Sequence, residues 1–192
     1  MKTTSNLKLL LSNKNQDQQL IGYADAIWAE ERTDRKSNSG RIFFYNGGTI
    51  SWSCQKQNLI ASSTCEAQYI SLSKAAKWLR QLLTDLHIHI EEPTIIFNDN
   101  QSCLRLLNDD KFSFKTKHMD TKYKITKDLV KNGIITSCYC PTEDMMAYIL
   151  TKPLSPNKHN YFCNKCNLRW MRRSVGVITF TLNLLTYVNK CR

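Results

Sequence analysis

The run Thr94-Ile95-Ile96-Phe97 limits the fold more than any other part of the chain. It offers no alternating polar face, so it reads as a strand buried on both sides, the type found in parallel sheets covered by helices. Asn98-Asp99-Asn100-Gln101-Ser102 follows, and Cys103-Leu104-Arg105-Leu106-Leu107 then begins a helix. A carboxylate, Asp99, therefore stands at the carboxyl end of a buried strand, where open α/β sheets collect their ligands. Two chemistries suit it there: holding a hard divalent cation, or capping the next helix, a role Asn100 can also fill. The local sequence leaves both open.

The remaining elements are read outward from that strand. Gln19 to Trp28 is apolar and aromatic around Gly22-Tyr23-Ala24-Asp25-Ala26 and reads as a strand carrying one acid. A charged loop over Glu30 to Gly40 precedes two strands, Arg41 to Tyr45 and Thr49 to Cys54. Asn46-Gly47-Gly48 joins them as a hairpin, because those residues tolerate positive φ. From Ser63 the spacing becomes helical, with Ala67, Ile70, Leu72 and on to Leu86 forming an apolar stripe, and with Glu66 in the first turn. Met119 to Lys131 is predicted as a helix ended by Gly133, Ile134 to Cys140 as the fifth strand, and Met145 to Leu150 as a last helix stopped by Pro153. Three antiparallel strands followed by two parallel ones, with right-handed helical crossovers, make a mixed α/β fold. In such a sheet Asp25, Glu66 and Asp99 are expected to converge at one edge. A carboxylate cluster of that kind persists only when something neutralises it, and oxygen-only ligands favour magnesium or manganese over zinc.

Charge is unevenly spread. Of 27 Lys and Arg residues, eight lie in 151–192, where none of the 16 acids is found, so most of the net +11 sits in the tail. A basic surface of this kind suits nucleic acid or an anionic membrane. No uninterrupted apolar stretch is long enough to span a bilayer, so no membrane association is expected. No secretory signal pattern is evident at the start, and eight scattered cysteines read as reduced thiols of an intracellular protein, in cytoplasm or nucleus. Lys115, Lys117, His118, Lys122 and Lys124 cluster with Phe112, Phe114 and Tyr123, a mixture that suits a nucleic-acid backbone groove or, equally, a solvated helix face. Cys163-Asn164-Lys165-Cys166 with His159 has half of a zinc-site spacing and lacks a second pair.

An ordered set of motifs then sharpens the reading. Gly22-Tyr23-Ala24-Asp25-Ala26, Asp34-Arg35-Lys36-Ser37-Asn38-Ser39-Gly40, Gly48-Thr49-Ile50-Ser51-Trp52-Ser53, Ser62-Ser63-Thr64-Cys65-Glu66-Ala67-Gln68-Tyr69, Asp99-Asn100-Gln101-Ser102, Thr116-Lys117-His118-Met119-Asp120 and Ile149-Leu150-Thr151-Lys152-Pro153-Leu154 occur in sequence. Together they resemble the ribonuclease H domain at the C-terminal end of the Pol polyprotein of copia-type LTR retrotransposons. The resemblance implies a ribonuclease H-like fold, an RNA·DNA hybrid as partner, Mg2+ (or Mn2+) as cofactor, and a two-metal cleavage of the RNA strand. It also implies a reverse transcriptase domain in the same polyprotein. Asp25, Glu66 and Asp99 fall on three of the family's four acidic positions, as catalytic residues and metal ligands. The fourth position holds Tyr148, a neutral phenol and a poor magnesium ligand, so activity is expected to be reduced or lost. Glu143 and Asp144, a helical turn upstream, are acids the family pattern does not use as ligands. The alternative reading is an inactive nucleic-acid binder, or a decaying element fragment without selected function. The expected organisation is a remnant of the reverse transcriptase connection over 1–19, the ribonuclease H-like domain over 20–155, and a poorly defined tail, basic then apolar, over 156–192.

Overall fold

The computed structural model describes residues 7–9, 19–29, 33–58, 60–73, 81, 83–88, 91–108 and 120–170. Its elements in chain order are β1 (Leu7–Leu9), β2 (Leu20–Ile27), β3 (Asn38–Tyr45), β4 (Gly48–Lys56), α1 (Thr64–Ser73), β5 (Thr94–Asn98), α2 (Gln101–Asn108), α3 (Asp120–Lys131), β6 (Ile135–Tyr139), α4 (Tyr148–Thr151), α5 (Pro156–Lys165) and β7 (Leu168–Trp170).

Five strands form the main sheet in the order β4-β3-β2-β5-β6. β2 pairs antiparallel with β3, and β3 with β4, whereas β5 lies parallel to both β2 and β6. This is the mixed five-stranded sheet expected from the sequence. The β3–β4 hairpin turns through Asn46 and Gly47, both at positive φ (50° and 72°), the two-residue turn whose twist matches the flanking strands. Strand β3 starts three residues before the predicted Arg41, because Asn38, Ser39 and Gly40 pair with both Ala26-centred β2 and the end of β4.

Alternation along the strands splits the interior into two layers. Leu20, Ala24, Phe43 and Ile96 pack with Tyr69 and Leu72 of α1, Leu104 and Leu107 of α2 and Leu129 of α3. On the opposite face Ile42, Tyr23, Phe44, Trp52 and Phe97 meet Met145 to Leu150, Phe162 and Leu168. The Tyr23 ring stacks on Phe97 at 5.0 Å and meets Phe44 edge-on at 5.7 Å, so the apolar run that opened the reading is buried on the face of Thr94 and Ile96 and half-buried on that of Ile95 and Phe97.

The second layer continues past residue 155. Helix α5 is capped by Ser155, whose side chain accepts from the Lys158 N–H, and begins with Pro156 at its first turn. Its Phe162 and Cys163 are buried against the sheet, and β7 then pairs antiparallel with β1, Leu7 opposite Trp170. Thr49 Oγ1 donates to the Cys166 carbonyl at 3.1 Å, and Asn167 Nδ2 to Gly47 O at 2.9 Å, tying this layer to the hairpin. Residues 7–9 and 156–170 are therefore structural parts of the domain. Their polar, weakly patterned sequence hides this because a three-residue strand and a helix with one apolar face give little periodicity. The half-spacing Cys163-x-x-Cys166 is explained by the same packing: burial pushes the two thiols up to about 11 and about 12, and among the described residues no cluster of metal-ligating side chains forms. Residues 171–192 lie outside the described residues.

Phe162→Ala is expected to lower the unfolding free energy by roughly 3–5 kcal/mol, and a chain ended at residue 155 to lose more than a chain ended at 170. Urea unfolding checks this, and equal stability of the two truncations would contradict the packing role of α5 and β7.

Candidate active site

The site lies where β2 and β5 end. Their parallel register runs Ile21↔Ile95, Gly22↔Ile96 and Tyr23↔Phe97, so Asp25 and Asp99 are the residues just past the last paired positions of adjacent strands. Asn98 holds this end together. It is fully buried, and its Nδ2 donates to Ala24 O at 3.0 Å and to Gln68 Oε1 at 2.9 Å, while its Oδ1 accepts the Asn100 N–H at 2.8 Å. The choice between cap and site residue for Asp99 is resolved by Asn100, whose Oδ1 accepts the Cys103 N–H at 2.9 Å and so caps α2. Asp99 is left facing the site.

Asp25 is 1% exposed. Its Oδ1 accepts from Gln68 Nε2 at 2.9 Å, its Oδ2 accepts from Thr151 Oγ1 at 2.5 Å, and Lys152 Nζ stands 3.8 Å from Oδ2. Asp99 Oδ2 accepts a short hydrogen bond from the Tyr148 hydroxyl. Burial, with that bond and the Asp99 charge, pushes the Tyr148 phenol well above its ordinary range, so it stays protonated and acts as a donor. Lys152 Nζ lies 3.3 Å from the Tyr148 ring centroid, closing the circuit from Asp25 through lysine and tyrosine to Asp99.

Helix α4 carries Tyr148 and Thr151, with Lys152 directly after it, and is a single turn, shorter than the predicted Met145 to Leu150 helix. The Tyr148, Ile149 and Leu150 N–H groups bond three residues back, to Met145, Met146 and Ala147, which tightens the segment between sheet and α5. Gly40, opposite Asp25 in the β2–β3 register, makes room for it: a Cβ there would stand 2.4 Å from Thr151 Cγ2 and 3.2 Å from Ala147 O.

Asp25 and Asp99 stand at the same end of the sheet, whereas the Glu66 carboxylate is bonded at the start of α1. Among the described residues no group of three His, Cys, Asp or Glu side chains is placed to hold a metal ion. Glu66 instead accepts from Ser62 N and Ser62 Oγ, each at 2.6 Å, while its own N–H donates to Ser63 Oγ at 3.1 Å, a variant of the capping box at the start of α1. Glu143 and Asp144 are exposed, and Asp144 accepts from the Tyr161 hydroxyl at 2.9 Å. Sequence reasoning missed Gln68, Asn98, Thr151 and Lys152. Gln68 lies two residues beyond Glu66, and Thr151-Lys152 lie within the Ile149-to-Pro153 motif, which is where a signal existed. Cys65 and Cys103 join α1 to α2 beside the site through a thiol–thiol hydrogen bond, which holds the Cys65 thiol below its ordinary value and raises Cys103. Lys115, Lys117 and His118 lie outside the described residues, as do the side chains of Lys122 and Lys124.

A sheet of this order and direction, with acids at the ends of its two central strands, defines a ribonuclease H-like domain. The fold matches the N-terminal RNase H domain of a Mycobacterium tuberculosis protein at TM-score 0.53 and 11% identity, over 76% of this chain and 96% of that one. It matches LC11-RNase H1, solved in complex with RNA/DNA hybrid, at TM-score 0.51 and 13% identity, over 66% of this chain and 88% of that one. In sequence the chain is 34% identical over 142 residues to the retrovirus-related Pol polyprotein of transposon TNT 1-94 from Nicotiana tabacum, covering 72% of this chain and 11% of the polyprotein. A second such polyprotein, from transposon RE1 of Arabidopsis thaliana, is 33% identical over 149 residues, 76% of this chain and 10% of that polyprotein. No protein-family model matches the chain. Its homologues are thus the Pol polyproteins of copia-type transposons, and the chain spans about a tenth of their length. Among the described residues no helix is long and apolar enough to cross a membrane.

Gly40→Ala is expected to displace α4 and lower stability by about 1–3 kcal/mol. Thermal unfolding together with the Tyr148 ring signals in NMR checks this; an unchanged melting temperature and unchanged ring signals would contradict the close approach of α4 to β3.

Proposed function

We propose that this chain is the ribonuclease H-like domain of a transposon Pol polyprotein that holds an RNA·DNA hybrid and has lost most or all of the capacity to cleave its RNA strand. The observation that carries the reading is the Tyr148 hydroxyl on the Asp99 carboxylate. At the position where the family resemblance expects an acid, a protonated phenol donates to the neighbouring acid instead of adding negative charge. The donor set does not fit a pair of divalent ions: among the described residues no three ligand groups converge, both Asp25 oxygens have protein donors, and Glu66 is turned to its helix N-terminus. What remains is a rigid, hydrogen-bonded end of the sheet that positions a surface and holds its protons on Tyr148 and Thr151.

Hybrid binding is supported by the fold shared with LC11-RNase H1 and by the basic excess of the chain. Recognition of a hybrid rests on backbone shape, phosphates and 2′-hydroxyls, for which Lys115, Lys117, His118, Lys122 and Lys124 are the proposed contacts. The intact element would join this domain to a reverse transcriptase that makes the hybrid.

Two measurements test the proposal. Affinity for hybrid is expected to fall linearly with log salt, with hybrid preferred over DNA duplex and single strands. Single-turnover cleavage of labelled hybrid in Mg2+ or Mn2+ is expected to be near background in the wild type and to rise by at least about tenfold in Tyr148→Asp. Full wild-type cleavage overturns the impairment. Equally feeble binding to every nucleic acid leaves only the fragment without selected function.

A further inference from the structure

A carboxylate that is 1% exposed needs charge compensation as well as hydrogen bonds, because an isolated buried charge is strongly disfavoured and tends to take up a proton instead. Gln68 and Thr151 supply neutral donors to Asp25; neither supplies charge. The cation beside it is Lys152, whose ammonium lies 3.8 Å from Asp25 Oδ2 with a side chain 36% exposed against 1% for the aspartate. The ammonium is not a freely waving surface group. It sits 3.3 Å from the centroid of the Tyr148 ring, so an aromatic face and a carboxylate fix it from two sides. Tyr148 in turn has its hydroxyl on Asp99. The lysine follows Thr151 directly in sequence, so one turn of chain delivers a hydroxyl and an ammonium to the same carboxylate oxygen.

We propose that Lys152 is the resident counter-cation of the site: its ammonium, held on the Tyr148 ring, neutralises Asp25 and leaves the site assembled without a divalent metal ion. This deepens the reading of Tyr148 given above and rests on it. The aromatic residue matters twice, since it removes an acid and at the same time offers the face that stations the lysine. The site is then closed to Mg2+ or Mn2+ by an occupant of its own chain, and a metal must displace Lys152 before it can reach Asp25.

The test uses the full chain with Mn2+ as probe, read by calorimetry and by thermal unfolding in EDTA and in Mn2+. Wild type is expected to show no saturable Mn2+ binding and the same Tm in both. Lys152→Met, which keeps the apolar stem and removes the charge, is expected to melt lower in EDTA, to recover part of that loss in Mn2+, and to bind Mn2+ saturably where the wild type does not. Lys152→Arg keeps the charge and is expected to behave as wild type, which separates charge from packing. A Lys152→Met protein that melts like wild type in EDTA, or a wild type that binds Mn2+ as tightly as the variant, overturns the proposal. Hybrid affinity measured in EDTA on the same samples separates the two readings: its absence in wild type overturns hybrid binding, while the Mn2+ comparison still decides the role of Lys152.

Discussion

A buried carboxylate must find partners, and in this domain the partners of Asp25 tie the architecture together. Gln68 reaches it from α1, Thr151 from α4 and Lys152 from directly after α4, and the register with Gly40 on β3 opens the space in which α4 sits. Both helical layers are thereby fixed to the end of the central strand. The same residues that hold the layers in place also define the site, so structure and chemistry share one set of hydrogen bonds. Asn98 extends the network to the next strand by bonding both Ala24 O and Gln68 Oε1. Networks of this kind are favourable only when every member is satisfied, which is why a charge at Asp25 brings Lys152 with it.

Much of this was legible in the sequence. The apolar Thr94-to-Phe97 run and the Asn46-Gly47 turn carry local signals, and local signals survive in a one-dimensional string. The ordered motifs added the pairing of distant segments. What could not be read was which acid would take which donor. Glu66 looks like a ligand in a motif and serves as a helix-terminal acceptor for Ser62, a decision made by the turn before α1. Asp99 looks like a cap and is freed because Asn100 caps instead. Helix α5 and the β1–β7 pair were illegible for another reason: their burial depends on Phe162 and Leu168 meeting strand residues that are more than a hundred positions away in the chain.

Tyr148 shows how little the scaffold needs to change to alter the site. Its ring is buried and its hydroxyl satisfied, and the surrounding Met145 to Leu150 segment packs against Ile42 and Cys54 on the sheet. A carboxylate there would add negative charge beside Asp25 and Asp99 and demand an external cation. A phenol removes that demand. The chain keeps a ribonuclease H-like fold, with the Asp25 and Asp99 carboxylates bonded by its own side chains.

The central claim, that the Asp25 and Asp99 carboxylates are satisfied from within the chain, is tested most directly by crystals grown in Mn2+ and examined by anomalous scattering. The account predicts no manganese peak between the two acids, with the Lys152 ammonium against Asp25 and the Tyr148 hydroxyl on Asp99. Two manganese peaks bridged by Asp25, with Glu66 withdrawn from Ser62 to join them, would contradict it.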